Sequence, residues 1–312
     1  MEISVVVPVY KSSLHLEKLY LELVSSLEKL EKEFELIFVE DCGGDNSWEV
    51  LQNISMQDSR VIAIRLSKNF GQHAATICGV VQAKGEWIVT IDDDLEQNPR
   101  DIVLLYEEAI EGRDLVYGVF EERSHSVWRN FTSHCARELF TLAIPSLNYE
   151  YTSFRIIKSS IAKELQQFDS PYPFIDGYLS WITNNYSTVK VSHSERESGV
   201  SNYTFSKLLR HTINISISFS EIPLKLSSWV GGFTSMFGLI WLLVILLQRV
   251  IGTVTVSGYA STMAAILFIG GIQLIVLGVI GEYIYRINFK TSKKPLYLVG
   301  QKVSNGRKKE GR

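Results

Sequence analysis

The sequence predicts an α/β domain built on a mostly parallel sheet with helices on both faces, followed by a C-terminal two-helix transmembrane hairpin. Two observations carry this expectation. Residues 1–118 alternate short β-branched runs with helical patterns, and two long uncharged stretches follow Lys225.

The strand candidates are residues 3–8, 34–39, 61–66, 86–91 and 114–118. Between them lie helical patterns at 14–30, 46–55, 72–83 and 99–111; in the first, Leu16, Leu19, Leu23, Leu27 and Leu30 recur at helical spacing. Sheets connected in this way bind ligands beyond the carboxyl ends of their strands. Three of those ends are polar or carry special residues: Pro8 and Tyr10, then Glu40, Asp41 and Asp45, then Asp92, Asp93, Asp94 and Glu96. Neither GxGxxG nor GxxxxGK[ST] occurs, which removes the main support for dinucleotide and P-loop readings.

The run from Leu226 to Gln248 contains no charge, and neither does 250–281, which is densest at 263–280. A spanning helix needs about 20 apolar residues, and Gly270, Gly271, Gly278 and Gly281 would let two helices approach closely. The alternative is a buried pair of core helices. Lys207, Arg210 and Lys225 precede the first stretch, and Arg286, Lys290, Lys293 and Lys294 follow the second. The connecting loop offers Arg249 alone, so both termini are expected in the cytoplasm. The expected organisation is a cytoplasmic domain at 1–202, an interfacial helix at 203–225, spans at 226–248 and 260–281, and a basic cytoplasmic tail at 282–312. A plain solvent-facing helix is the other reading of 203–225.

The chain has 312 residues and a formal net charge of -3, unevenly spread. After residue 281 there are nine basic residues against two acidic ones, which points to an anionic surface. Because that tail directly follows a span, anionic lipid is a simpler partner than nucleic acid, and no nucleic acid is expected. Three cysteines (Cys42, Cys78, Cys135) without CxxC indicate a reducing compartment, no disulfide framework and no zinc site. The first residues read as a strand, so no cleavable signal peptide is expected.

Adjacent carboxylates at Asp92, Asp93 and Asp94 repel one another unless a cation offsets them. Mg²⁺ or Mn²⁺ does so and leaves positions open for substrate phosphates. At period 2, Asp92, Asp94 and Glu96 would share one side while Asp93 faces away. A solvated acidic turn before the helix that follows Pro99 is the bland alternative.

With that cluster the sequence resembles the family 2 glycosyltransferases, and within them the polyprenyl-phosphate transferases. The matching stretches are VVVPVY at 5–10, VEDCGGDNS at 39–47, LSKNFGQH at 66–73, the acidic cluster at 92–96, SFR at 153–155, RESGVSNY at 196–203 and GEYIYR at 281–286. The resemblance implies a GT-A-like, nucleotide-sugar-binding sheet. It implies that Pro8, Tyr10, Glu40 and Asp41 hold base and ribose, with Asp92 and Asp93 also at the donor. Asp92 and Asp94 look like the family's DxD motif. Mg²⁺ or Mn²⁺ would sit on Asp92, Asp94 and Glu96, closest to the last two. Arg123, Arg129 and Ser133 match residues that meet the acceptor phosphate, Arg155 and Arg196 add positive charge, and Ser201 and Tyr203 shape the acceptor side. Asp94, Arg123, Arg129, Ser133, Arg155 and Arg196 would then be the catalytic group. Each has a structural alternative: Tyr10 as core, the arginines as exposed helix residues, Asp41 or Asp45 as turn or cap.

Several positions depart from the family pattern. Glu40 stands for Asp, Glu96 for Gln, Lys11-Ser12-Ser13 for an acidic residue, and Ser153 for an Asp that some relatives carry and that has been considered a base. The resemblance implies inverting transfer from a nucleotide sugar, a UDP-sugar by preference, to undecaprenyl or another polyprenyl phosphate. Its setting would be cell-envelope glycan, lipopolysaccharide or O-antigen modification. The protein would be a multi-pass protein of the inner membrane, its partners the bilayer and further copies in a homo-oligomer such as a tetramer. A processive synthase would show QxxRW and more spans, which are absent. A tethered nucleotide-sugar-binding scaffold without turnover, or a transferase with a different acceptor, are the alternatives.

Overall fold

The computed structural model describes residues 1–120, 150–168, 170–192, 217–220, 222–251, 258–304 and 307–310. Arg123, Arg129, Ser133, Arg196, Ser201 and Tyr203 lie outside the described residues. The chain divides into two compact units, one of Met1–Phe205 with Lys294–Arg312, the other of Ser206–Lys293.

The first unit is built on β1 (Ile3–Val9), β2 (Phe34–Glu40), β3 (Val61–Leu66) and β4 (Trp87–Thr90). These strands run parallel in the order β4-β1-β2-β3. Every residue of β1 and β2 is buried, because helices cover both faces. The connecting helices are α1 (Leu16–Glu28), α2 (Ser47–Gln57), α3 (Gln72–Gln82) and α4 (Ile102–Ile110). On α1 the leucines at 16, 19, 23 and 27 form the buried stripe that their spacing predicts. On α3 every residue from Ala74 to Val80 is buried. Gly79 permits this approach, since a Cβ there would lie 2.3 Å from Val6 Cγ1.

The flanks are less regular. β5 (Leu115–Phe120) and β7 (Tyr186–Val191) pair in parallel, but β6 (Arg155–Lys158) enters antiparallel between β4 and β5. Two short helices, α5 (Ser159–Ala162) and α6 (Ile175–Ile182), follow β6. At the other edge β8 (Val299–Ser304) lies antiparallel on β3, and β9 (Arg307–Glu310) on β8. The α/β architecture with a parallel core thus has antiparallel additions that alternation alone does not predict.

The C-terminal residues differ most from expectation. In place of one basic tail, residues up to Thr291 extend a helix, and Val299–Ser304 and Arg307–Glu310 add two strands to the sheet. Main-chain pairing covers the β3 edge, which would otherwise be open. Val303 is buried, Trp48 Nε1 donates to Gln301 Oε1 at 3.0 Å, and Lys302 Nζ donates to Gln82 Oε1 at 2.6 Å. Interleaved polar residues hid this strand from a hydropathy reading.

The second unit contains α7 (Ile222–Ile251) and α8 (Tyr259–Thr291), which contact one another. They include the stretches 226–248 and 260–281. Large apolar side chains stand exposed along both, among them Trp229, Phe233, Phe237, Trp241, Phe268, Leu274 and Ile275. Among the described residues, Phe268–Thr291 is long and apolar enough to cross a membrane. The described part of the 203–225 segment begins at residue 217.

Candidate active site at the carboxyl ends of β1, β2 and β4

Three loops leave the parallel strands on one side of the sheet. Each contains a non-glycine residue in the left-handed region: Lys11 (φ 57) after β1, Cys42 (φ 52) after β2 and Leu95 (φ 62) after β4. Such conformations cost about 1–3 kcal/mol each and persist where surrounding contacts enforce them. Here the enforcing contacts are carboxylates.

Asp93 ties the β4 loop to the β1 loop. Its Oδ2 accepts the Tyr10 N–H at 2.9 Å and the Ser12 hydroxyl at 2.5 Å. Asp41 is buried at the end of β2 and accepts the N–H groups of Phe70 (2.7 Å) and Gly71 (2.8 Å), fixing the loop before α3. Burial raises its pKa above the ordinary carboxylate value, and those two N–H bonds oppose the rise. Glu40, also buried, accepts from Gly43 N–H at 2.6 Å and lies 3.0 Å from Arg65 Nε. Its pKa too is raised by burial, with Gly43 and Arg65 pulling the other way. Asp45 accepts from Ser13 N–H and Ser47 Oγ. Glu40, Asp41 and Asp93 therefore shape the loops, while Tyr10, half exposed, presents its ring beside Lys11 Nζ (5.3 Å). The reading of Tyr10 as core does not hold.

Asp92 is held by three side chains. Gln72 Nε2 donates to Oδ1 at 2.6 Å, Ser153 Oγ donates to Oδ2 at 2.5 Å, and Gln97 Nε2 reaches Oδ2 at 3.2 Å and Ser153 Oγ at 2.7 Å. Gln97 Oε1 also accepts the Asp92 N–H at 2.9 Å. Burial first, and the neighbouring Asp94 and Asp93 charges after it, push the Asp92 carboxyl up to about 6. Asp93 rises to about 6 from burial and Asp94.

The left-handed Leu95 turns the segment, so Asp92, Asp94 and Glu96 do not form the period-2 row that an extended segment would give. Asp94 Oδ1 accepts the Glu96 N–H at 3.2 Å, folding the turn on itself. Among the described residues no group of three His, Cys, Asp or Glu side chains is arranged to hold a metal by itself. The donor set still fits a hard cation. It offers carboxylates alone, and Mg²⁺ is held by one or two of them with substrate phosphates completing the shell. Burial first, and the neighbouring carboxylates after it, raise the pKa values of Asp92 and Asp93, and a cation bound at the turn would favour their charged forms.

Arg155, expected to add positive charge at the site, is neutralised within the fold. It is buried, its NH1 donates to Asp176 on α6 and its Nε donates to Thr90 Oγ1 at 3.1 Å. Tyr117 OH adds a bond to the same Asp176 oxygen at 3.1 Å. This network joins β4, β5, β6 and α6, so Arg155 acts as internal scaffold next to a cavity of about 230 Å³. Pro8 lines that cavity, as do Asp92, Ser153 and the edge-packed rings of His73, Phe174 and Tyr151. Gln97, Gln72 and Asp176 were not anticipated. Gln97 directly follows the acidic cluster and Gln72 lies near the end of the matched stretch 66–73, the one signal the sequence offered.

A parallel α/β core whose strand-end loops gather carboxylates defines a GT-A-like transferase domain. Residues 4–169 match the Glycosyl transferase family 2 profile and residues 222–287 match the GtrB C-terminal hairpin. The chain belongs to glycosyltransferase family 2 and is a glycosyltransferase. It is 32% identical to the uncharacterized glycosyltransferase YkcC of Bacillus subtilis, over 95% of this chain and 92% of that one. It is 33% identical to the undecaprenyl-phosphate 4-deoxy-4-formamido-L-arabinose transferase of Proteus mirabilis, over 97% of this chain and 94% of the relative. Among solved structures, glucosyl-3-phosphoglycerate synthase of Mycobacterium tuberculosis aligns with 70% of this chain and 78% of its own, at 16% identity and a TM-score of 0.49.

Proposed function

We propose that the protein transfers a sugar from a nucleotide sugar, a UDP-sugar by preference, to undecaprenyl or another polyprenyl phosphate, inverting the anomeric centre. The carboxylate turn at the end of β4 carries this reading, supported by the undecaprenyl phosphate in the name of the Proteus mirabilis relative.

Pro8, Tyr10, Glu40, Asp41, Asp92 and Asp93 form the donor side, the buried carboxylates acting through the loops they fix. Mg²⁺ or Mn²⁺ on Asp94 and Glu96 would neutralise charge on the departing diphosphate. An acceptor phosphate oxygen bonds to the anomeric carbon while the bond to the nucleoside diphosphate breaks and its electron pair leaves with that group. A phosphate monoester has a second pKa near ~6 and is largely dianionic at pH 7, so the attack needs no base. Ser153 suits this route, because its hydroxyl hydrogen already bonds Asp92. Arg123, Arg129, Ser133, Arg196, Ser201 and Tyr203 are assigned to the acceptor side on the resemblance.

The exposed apolar hairpin anchors the domain in the cytoplasmic membrane as two spans. Residues before and after the hairpin share one sheet through the β3–β8 pair, which supports both flanks lying on the same side. The basic flanks favour the cytoplasm for that side. A homo-oligomer is assigned on the resemblance.

The test incubates the purified protein with undecaprenyl phosphate and radiolabelled nucleotide sugars. Label partitioning into organic solvent supports the assignment. Label transferred to a water-soluble acceptor in its place contradicts it.

A further inference from the structure

We propose that the cavity beside Asp92 receives the sugar of the donor and selects a neutral or amine-bearing sugar over one carrying a carboxylate or phosphate. This rests on the transferase reading above and names the class of sugar.

The cavity opens between the ends of β1 and β4, bordered by Pro8 and Asp92, next to the turn assigned to the diphosphate. The group that enters it is the one attached to that diphosphate. Besides the Tyr151 phenol, four aliphatic hydroxyls line the wall, and each of these four has its hydrogen engaged elsewhere. Thr76 donates to Gln72 O (2.9 Å), Thr90 to Ser153 O (2.5 Å), Thr152 to Gly118 O and Phe154 O (2.8 and 2.9 Å), and Ser153 to Asp92 Oδ2 (2.5 Å). A hydroxyl has one hydrogen, and carbonyl and carboxylate oxygens only accept, so these directions are fixed. What the four hydroxyls show a ligand is lone pairs.

The charges point the same way. Among the described residues Arg155 is the guanidinium on the wall, and Asp176 pairs with it while Thr90 takes its Nε hydrogen. Asp92 brings negative charge to the wall, and the His73 ring packs edge-on to Phe174 at 5.7 Å. Sugar hydroxyls and amines donate to such a surface. A carboxylate or phosphate would meet acceptors and a like charge without its hydration shell.

The test measures dissociation constants for two matched pairs, UDP-glucose with UDP-glucuronate and GDP-mannose with GDP-mannuronate, on the full-length protein in detergent with Mg²⁺. For whichever base binds, the neutral member is expected to bind about tenfold tighter or more. In Gln72→Lys an ammonium sits beside Asp92 and cancels its repulsion, so that ratio should narrow by about threefold or more. Near-equal affinity within a pair overturns the selectivity and leaves the transferase reading standing, and an unchanged ratio in Gln72→Lys overturns its assignment to this cavity. Absence of saturable binding by both neutral members overturns the transferase reading and the cavity's role together.

Discussion

Replacing Arg155 by Met tests whether this arginine is scaffold or phosphate ligand. Arg155 and Asp176 are 2% and 4% exposed, so removing the cation strands a buried carboxylate that still accepts from Tyr117 OH. Breaking a buried ion pair by deleting one member costs about 3–5 kcal/mol, whereas replacing both with apolar groups is often near neutral. For a domain of this size each kcal/mol shifts Tm by roughly 2–4 °C, so Arg155→Met should lower Tm by about 10 °C. The double variant Arg155→Met/Asp176→Leu should regain most of that loss. Thermal unfolding in detergent, followed by circular dichroism, reads both. A single variant that melts like the parent, or a double variant as unstable as the single, would refute the buried-pair account.

Other predictions concern the loops and the core. Gln97→Leu removes three hydrogen bonds around Asp92 and should lower kcat about tenfold or more, with a smaller change in donor KM, in steady-state assays. Gly79→Val drives a side chain into Val6 and should destabilise by about 1–3 kcal/mol or abolish expression, measured by denaturant unfolding. Asp58 has its pKa lowered first by its bonds to Arg60. Its contribution to stability is therefore complete above the unfolded value of about 4 and drains as pH falls through the lower folded value. Asp58→Asn should accordingly flatten the acid side of a melting-versus-pH curve. Chelation by EDTA should abolish turnover, and Mg²⁺ or Mn²⁺ should restore it.

Much of the parallel core is readable because its signals are local. The leucine spacing of α1 and the apolar run of β1 each fix an element without reference to distant residues. The site is readable as a location, since the polar strand ends at Glu40, Asp41 and Asp92–Asp94 fall on one side of such a sheet. Side-chain roles are less legible. Arg155 reads as a spare positive charge until the fold brings Asp176, on a different element, against it. The acidic row assumes an extended segment, and one left-handed residue, Leu95, cancels that periodicity. β8 escapes notice because its stability comes from pairing with β3, and Gly300, Gln301 and Lys302 interrupt its hydropathy. Glu40 and Asp41 look like ligand contacts in a motif, yet their oxygens accept from the backbone of their own loops.

The most direct measurement compares wild type with Asp94→Asn for divalent-ion-dependent formation of organic-soluble, sugar-labelled polyprenyl phosphate. Wild type should form product with Mg²⁺ or Mn²⁺, and the variant, melting within a few degrees of it, should lose most turnover, on the order of a hundredfold. Near-normal turnover in Asp94→Asn, or product formed equally well in EDTA, would contradict the account.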